Sequence, residues 1–154
     1  MSLFYDDLAI GQTFKAGPVT MDRDRIIAFG HEFDPQPQHL SEEAAKSSMF
    51  GELVASGWHT AAVTMRLMVE GACPSLASGA MGAGIEGITW PEPVRPGDVL
   101  MAESEIIDLR PSRSRSDRGI MKLKTTTRRA DGVVVQVVTG IILVPRRVGV
   151  SAGT

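Results

Sequence analysis

Two hydrophobic patterns divide the chain, and the first of them predicts helices. Thr20, Ser41 and Ser56 each precede a segment whose apolar residues recur at the spacing of a helical face. Hydroxyl side chains cap the first backbone N–H groups of a helix, and acidic residues follow the first two of these positions, where they suit the positive end of the helix dipole. The pattern predicts three helices, at 22–32, 42–47 and 57–70.

The third of these segments carries apolar residues around most of its circumference. They extend from Trp58 to Val69, and Arg66 with Glu70 offers an ion pair at four-residue spacing. A helix that is apolar on nearly all sides is typical of a protein interior. We therefore expect the helix at 57–70 to be buried.

The second half of the chain is dominated by strand patterns. From Met121 to Arg128, apolar or threonine side chains alternate with charged or polar ones, which predicts one buried and one solvated face. Strands are predicted in GIEGITW, in VLMAESEIIDL and on both sides of Ala130-Asp131-Gly132 in IMKLKTTTRRADGVVVQVVTGIILV. A largely apolar helix followed by such strands predicts an α+β fold in which an antiparallel sheet wraps around the helix.

Composition limits the class of protein. The chain has 154 residues, which is room for a single domain with one core. Its 16 basic and 18 acidic side chains give a net charge of −2, which supplies no general field to attract nucleic acid or anionic lipid. The lone Cys73, an N-terminus unlike a signal peptide and the interrupted apolar runs predict a cytoplasmic protein that binds neither membranes nor nucleic acid.

A carboxylate and an imidazole stand five residues apart in DPQPQH, between the first two predicted helices. Pro35 and Pro37 forbid a helix there and favour an extended backbone at the residue before each of them. A straight path would separate Asp34 from His39 by roughly 15–18 Å, so the segment must bend if both are to reach one water molecule. A bent pair suits the addition or removal of water, whereas an ordinary connecting loop with an exposed His is the alternative.

Metal binding by this region is not expected. His31 and Glu32 precede the Asp34/His39 pair, but the four residues lack the HExxH spacing of zinc enzymes and have no cysteine partner.

The chain resembles the MaoC-like acyl-CoA dehydratase family, which includes the R-specific enoyl-CoA hydratases, over roughly residues 5–146. Asp34, Pro37 and His39 match the family's motif of Asp, any residue, Asn, Pro, any residue and His. FGELVASGWHT at 50–60 and WPEPVRPGDVL at 90–100 resemble two further segments of the family.

This resemblance implies a fold, a reaction and a set of roles. The fold is the hot-dog fold, with an antiparallel sheet around a long central helix, usually as a homodimer with active sites near the subunit interface. The reaction is the reversible syn hydration of a trans-2-enoyl-CoA to a 3-hydroxyacyl-CoA. Asp34 and His39 would hold the water, and the backbone N–H of Gly57 would stabilise the enolate oxygen. Coenzyme A is then part of the substrate, and no separate cofactor is expected.

Two positions depart from the family pattern. Gln36 replaces the Asn of the motif, and Ser56 replaces the His that often precedes the helix glycine. Gln36 retains the amide on a longer side chain, and Ser56 can cap a helix but does not titrate near neutral pH. A thioesterase on the same scaffold and an acyl-CoA-binding protein without activity therefore remain alternatives.

Further candidates lie beside Gly57 and in a distant loop. Trp58 and His59 are predicted to line the acyl site together with Ser56 and Gln36, and places in the core are the alternative for Trp58 and His59. The loop LRPSRSRSDRG contains four arginines that would suit coenzyme A phosphates, although a solvated hairpin tip is the favoured interpretation. These arginines are Arg110, Arg113, Arg115 and Arg118.

Overall fold

The fold is a five-stranded antiparallel sheet, and its α-helices come from the first half of the chain. The computed structural model describes residues 1–147. The strands are β1 (Thr13–Thr20), β2 (Met81–Thr89), β3 (Val99–Pro111), β4 (Arg118–Arg129) and β5 (Val134–Pro145). Their order across the sheet is β1-β3-β4-β5-β2, so β3 to β5 form the predicted meander and β1 and β2 are the two edges.

All three predicted helices are present. They are α1 (Arg23–Phe33), α2 (Glu42–Ala45) and α3 (Gly57–Leu67). Ser41 and Ser56 cap α2 and α3 as expected, whereas the cap of α1 is Asp22 rather than Thr20. The central helix, predicted at 57–70, consists of α3 with 11 residues and, directly after it, a five-residue π-helical turn, Met68–Ala72.

The strand β1 was missed by the sequence pattern. Gly17 and Pro18 interrupt its alternation, and the pairing register with β3 shifts between Ala16 and Val19. Proline lacks a backbone N–H and is found in sheets mainly on edge strands, which is the position of β1.

The prediction that the central helix is buried is wrong for one of its faces. Thr60, Thr64 and Leu67 are buried against the sheet. On the opposite face Trp58 is 59% exposed and Met65 is 54% exposed. The sheet covers the first of these faces and leaves the apolar side chains of the second exposed.

The core confirms the alternation predicted for β4. Met121, Leu123, Thr125 and Thr127 are fully buried, and the residues between them face outward. A separate buried cluster lies where α1 and the segment before α3 approach the sheet. It contains Met21, Ile26, Leu53, Leu100 and Val135.

No helix within residues 1–147 is both long enough and apolar enough to cross a membrane.

Candidate active site

The segment between α1 and α2 bends as its prolines predicted. The backbone N–H of Gln36 donates to the Asp34 carbonyl at 2.7 Å, and the N–H of His39 donates to the Gln36 carbonyl at 2.9 Å. Pro37 begins a single 3₁₀ turn that ends at His39. This turn brings Asp34 Oδ2 to 3.4 Å from His39 Nε2. The carboxylate and the imidazole therefore face one point.

A glycine in α1 allows the bend to pack against the helix. A Cβ on Gly30 would overlap the carbonyl oxygen of His39 and would lie 2.9 Å from its Cβ. Any larger residue at position 30 would push the 3₁₀ turn away from α1. Gly30 thus lets the 3₁₀ turn lie close to α1, which determines where the His39 ring lies relative to Asp34.

The His39 ring is fixed in one orientation by a backbone carbonyl. The side chain is 5% exposed, and its Nδ1 lies 2.7 Å from the carbonyl oxygen of Val54. A carbonyl oxygen only accepts, so Nδ1 carries the proton. In the neutral ring Nε2 then presents a lone pair toward Asp34 and the cavity.

Both oxygens of the Asp34 carboxylate accept hydrogen bonds. Gln36 Nε2 donates to Oδ1 at 2.7 Å, and Ser56 Oγ donates to Oδ2 at 2.6 Å. Burial alone would raise the pKa of Asp34, but these two hydrogen bonds and the nearby His39 ring outweigh it and lower the pKa below its ordinary value. Asp34 is therefore an anion at neutral pH.

The first turn of α3 points at the same place. Ser56 Oγ accepts a hydrogen bond from the Trp58 N–H at 3.2 Å, so this hydroxyl links the helix cap to Asp34. Within residues 1–147 the Gly57 N–H has no hydrogen-bond partner. Free N–H groups and the positive end of the helix dipole attract a negative oxygen.

Gly57 packs closely, as the alternative interpretation of this glycine expects, but the sequence did not reveal its partner, Trp90. A Cβ at this position would lie 2.6 Å from Cδ2 and 2.7 Å from Cε2 of the Trp90 indole. The ring of Trp90 therefore packs directly on the backbone that carries the free N–H. Trp90 precedes Pro91 at the end of β2, and nothing local in the sequence indicates that it meets α3.

These groups surround a cavity of about 410 Å³. Specific ligand pockets in proteins commonly enclose 300–1,000 Å³. Its walls include Asp34, Gln36, His39, Gly57, Trp58 and Trp90. The structure thus brings together five predicted site residues around one space, while buried Ser56 supports the carboxylate from behind.

His59, in contrast, is not brought to this cavity. It projects from α3 toward α1, where its ring stacks on Phe29 with 4.8 Å between centroids and an angle of 7°. Within the described chain its Nδ1 is buried without a partner. Burial, and then the charge of Arg25, lower the pKa of His59 and favour the neutral ring. The observed position matches the alternative of a core histidine.

The arginine-rich loop lies at the far end of the sheet from the pair. Register pairs β3 with β4 from Leu100, in the core beside the site, to Pro111 at the loop. Arg115 and Arg118 both contact Asp117 at the exposed tip. The loop is a solvated hairpin tip in the protomer.

Among residues 1–147 no three His, Cys, Asp or Glu side chains are grouped closely enough to hold a metal ion.

Comparison with solved structures shows that the protein has the hot-dog fold. The chain superimposes on a Mycobacterium tuberculosis protein with a double hot-dog fold at a TM-score of 0.78, with 19% identity over 99% of this chain and 47% of that one. An unliganded R-hydratase, PhaJ1 of Pseudomonas aeruginosa, matches at 0.75, with 20% identity over 99% and 94% of the two chains.

Closer similarity gives the family. The MaoC-like dehydratase of Rhodospirillum rubrum is 49% identical, with a TM-score of 0.89 over 95% of this chain and 99% of its own. The family model described as "MaoC like domain" matches residues 7–128. The chain belongs to the MaoC-like dehydratase family, whose relatives include hydratases and dehydratases.

Proposed function

We propose that the protein catalyses the reversible, R-specific hydration of a trans-2-enoyl-CoA to a 3-hydroxyacyl-CoA. The observation that carries the proposal is the convergence of Asp34 Oδ2 and His39 Nε2, 3.4 Å apart, beside the free N–H of Gly57. The R-hydratase of Pseudomonas aeruginosa, which shares the fold, supports the choice of reaction.

The pair suits the activation of water. A water molecule between Asp34 and the Nε2 lone pair of His39 can donate one hydrogen to each and direct an oxygen lone pair outward. As this oxygen bonds to C3 of the enoyl group, one water proton moves to Asp34, from Asp34 to His39 Nε2 and from there to C2, which leaves both side chains in their starting states. Both parts of one water then add from the same face, and the steps use no further cofactor.

The helix end suits the charge that develops on the substrate. Attack at C3 moves an electron pair through C2 to the thioester oxygen, which becomes an enolate oxyanion. The Gly57 N–H at the start of α3 is placed to receive it. One such donor contributes about 3–4 kcal/mol in well-studied oxyanion holes. Protonation at C2 then restores the carbonyl.

The reaction is tested by following the absorbance of the conjugated double bond of crotonyl-CoA. We expect this absorbance to fall, with the R isomer as product and no free thiol. Asp34→Asn should lower turnover about 100-fold or more, because the amide cannot take a proton. His39→Ala should do the same.

Asp24→Asn is the matched control for the carboxylate, because Asp24 lies on α1, the helix that ends just before Asp34, and its side chain is 89% exposed. It should retain full turnover. Wild-type turnover in Asp34→Asn would remove the assignment, and release of free thiol without loss of the double bond would indicate a thioesterase instead.

We also propose a homodimer as the functional unit. The exposed residues Trp58, Met65 and Val69 border an apolar groove of about 1000 Å³ whose other wall is β2. β2 is an edge strand with free backbone groups, and such edges pair readily with a second strand. A second copy would cover this groove. Light scattering behind size exclusion should give twice the mass of one chain, whereas a monomer would refute the proposal.

A further inference from the structure

Trp90 stands between two cavities. Its indole is part of the wall of the site cavity, which also includes Gly57. On the other side lies the apolar groove between α3 and the strands β2 and β5, whose lining includes Gln136. Trp58 borders both spaces. The Trp90 ring and the Gln136 amide to which it is hydrogen-bonded therefore lie between the site cavity and the groove.

The ring is held by contacts on three sides. Its Nε1–H donates to Oε1 of Gln136 at 2.8 Å, and Gln136 is only 1% exposed. The Trp58 ring meets it edge-on, with 5.2 Å between centroids and an angle of 77°. Gly57 leaves no gap on the third side, since even a Cβ there would overlap the indole. Although Trp90 is 37% exposed, these contacts hold its ring against Gly57 and Gln136.

We propose that Trp90 limits the length of the acyl chain, so that the preferred substrates are short-chain enoyl thioesters. This inference rests on the proposed function, because it takes the Gly57 N–H as the position of the thioester oxygen. An acyl group bound there has its first carbons beside the indole.

A longer chain would have to displace the ring in order to reach the groove. Displacement would leave the buried amide of Gln136 without its donor, and an unsatisfied buried polar group is costly. A short chain needs no such rearrangement. Removal of the indole would connect the site cavity to a large apolar space that suits a longer chain.

The experiment compares kcat/KM for crotonyl-CoA and trans-2-octenoyl-CoA in three proteins. The wild type should prefer crotonyl-CoA. Trp90→Ala should shift the ratio toward octenoyl-CoA by about tenfold or more, as expected when a pocket gains room for several methylenes. A loss of rate common to both substrates cancels in this ratio. Trp90→Phe, which retains an aromatic wall, is the matched control and should shift the ratio far less.

Binding provides a readout that does not depend on turnover. Calorimetric titration with butyryl-CoA and octanoyl-CoA should show the same shift in the ratio of Kd values for Trp90→Ala. Gln136→Met, which removes only the acceptor that anchors the ring, should shift both ratios in the same direction by less and serves if Trp90→Ala does not fold.

The possible results separate the two proposals. Shifted Kd ratios without any hydration would end the proposed function and support the role of Trp90. Hydration with unchanged ratios in both Trp90→Ala and Gln136→Met would overturn the role of Trp90 alone. A wild type that prefers octenoyl-CoA, or that binds neither saturated thioester, would also overturn it.

Discussion

Replacing Ser56 with Ala tests whether one hydroxyl both caps α3 and sets the charge of Asp34. The substitution removes the donor 2.6 Å from Asp34 Oδ2 and the acceptor 3.2 Å from the Trp58 N–H. Losing an N-terminal cap costs about 1 kcal/mol. A hydrogen bond to a charged group is worth about 1.5–3 kcal/mol. Both losses should lower stability at neutral pH, and the second should also change the pH profile.

The cap should appear in stability alone, whereas the carboxylate contact should appear in the pH profile as well. A loss of about 1 kcal/mol lowers Tm by roughly 2–4 °C in a chain of this size. Ser56 is one of the groups that lower the pKa of Asp34, so the pKa rises without it. The ionised Asp34 is the active form, and activity is lost as the pH falls through its pKa. The acid limb of kcat/KM should therefore move to higher pH in Ser56→Ala.

Ser41→Ala is the matched control for this experiment. Ser41 caps α2 through the Ala44 N–H at 3.0 Å, without a carboxylate partner among the described residues. Its removal should lower Tm by the share of a cap alone, which is less than in Ser56→Ala, and leave the acid limb in place. If Ser56→Ala lowers Tm but keeps the wild-type limb, the hydroxyl acts only as a cap. A limb that moves equally in both variants would show that the shift reflects general loosening.

Two glycine substitutions should give steric effects. Gly57→Ala should destabilise the fold by about 1–3 kcal/mol, because its Cβ would lie 2.6 Å from the Trp90 ring. Urea unfolding should show this loss. Adding Trp90→Ala to the same chain should relieve part of it. Additive effects of the two changes would contradict this contact. Gly30→Ala should displace His39 and abolish hydration, measured on crotonyl-CoA; an active variant of normal Tm would show that the turn tolerates the shift.

Local sequence signals predicted the helices and most strands because their causes are local. Ser41 and Ser56 cap the helices they precede, and the alternation around Met121 matches a buried face. The strand β1 escaped because Gly17 and Pro18 obscure its pattern. Its strand conformation depends on pairing with β3, 79 to 92 positions away in the chain. Contacts over such a separation leave no periodic signal.

The exposed face of α3 shows a different limit. Hydrophobicity measures how much surface avoids water, not which molecule covers it. Trp58 and Met65 are as apolar as core residues and yet face away from the sheet. The prediction of a buried helix therefore holds for the face with Thr64 and Leu67, which the sheet covers, and fails for the opposite face. The sequence could not show which surface, if not the sheet, covers the other face.

The same distinction between local and long-range causes applies to the candidate site. Prolines made the bend between Asp34 and His39 predictable, since they restrict the backbone at neighbouring residues. The contacts that orient the pair come from further away: the Val54 carbonyl fixes the His39 ring across 15 positions. Trp90 reaches Gly57 only through the fold. Residue types indicated the candidate pair, whereas its orientation could not be predicted from them.

The two departures from the family motif converge on one carboxylate. Gln36 and Ser56 donate to different oxygens of Asp34, so the residue present at each of the two positions supplies a hydrogen bond to it. A carboxylate has about four acceptor positions, and these donors take one on each oxygen. A free position on Oδ2 remains on the side of His39 Nε2. Because the substitutions preserve both an anionic Asp34 and a place for water, they alter how the pair is supported and leave its chemistry possible.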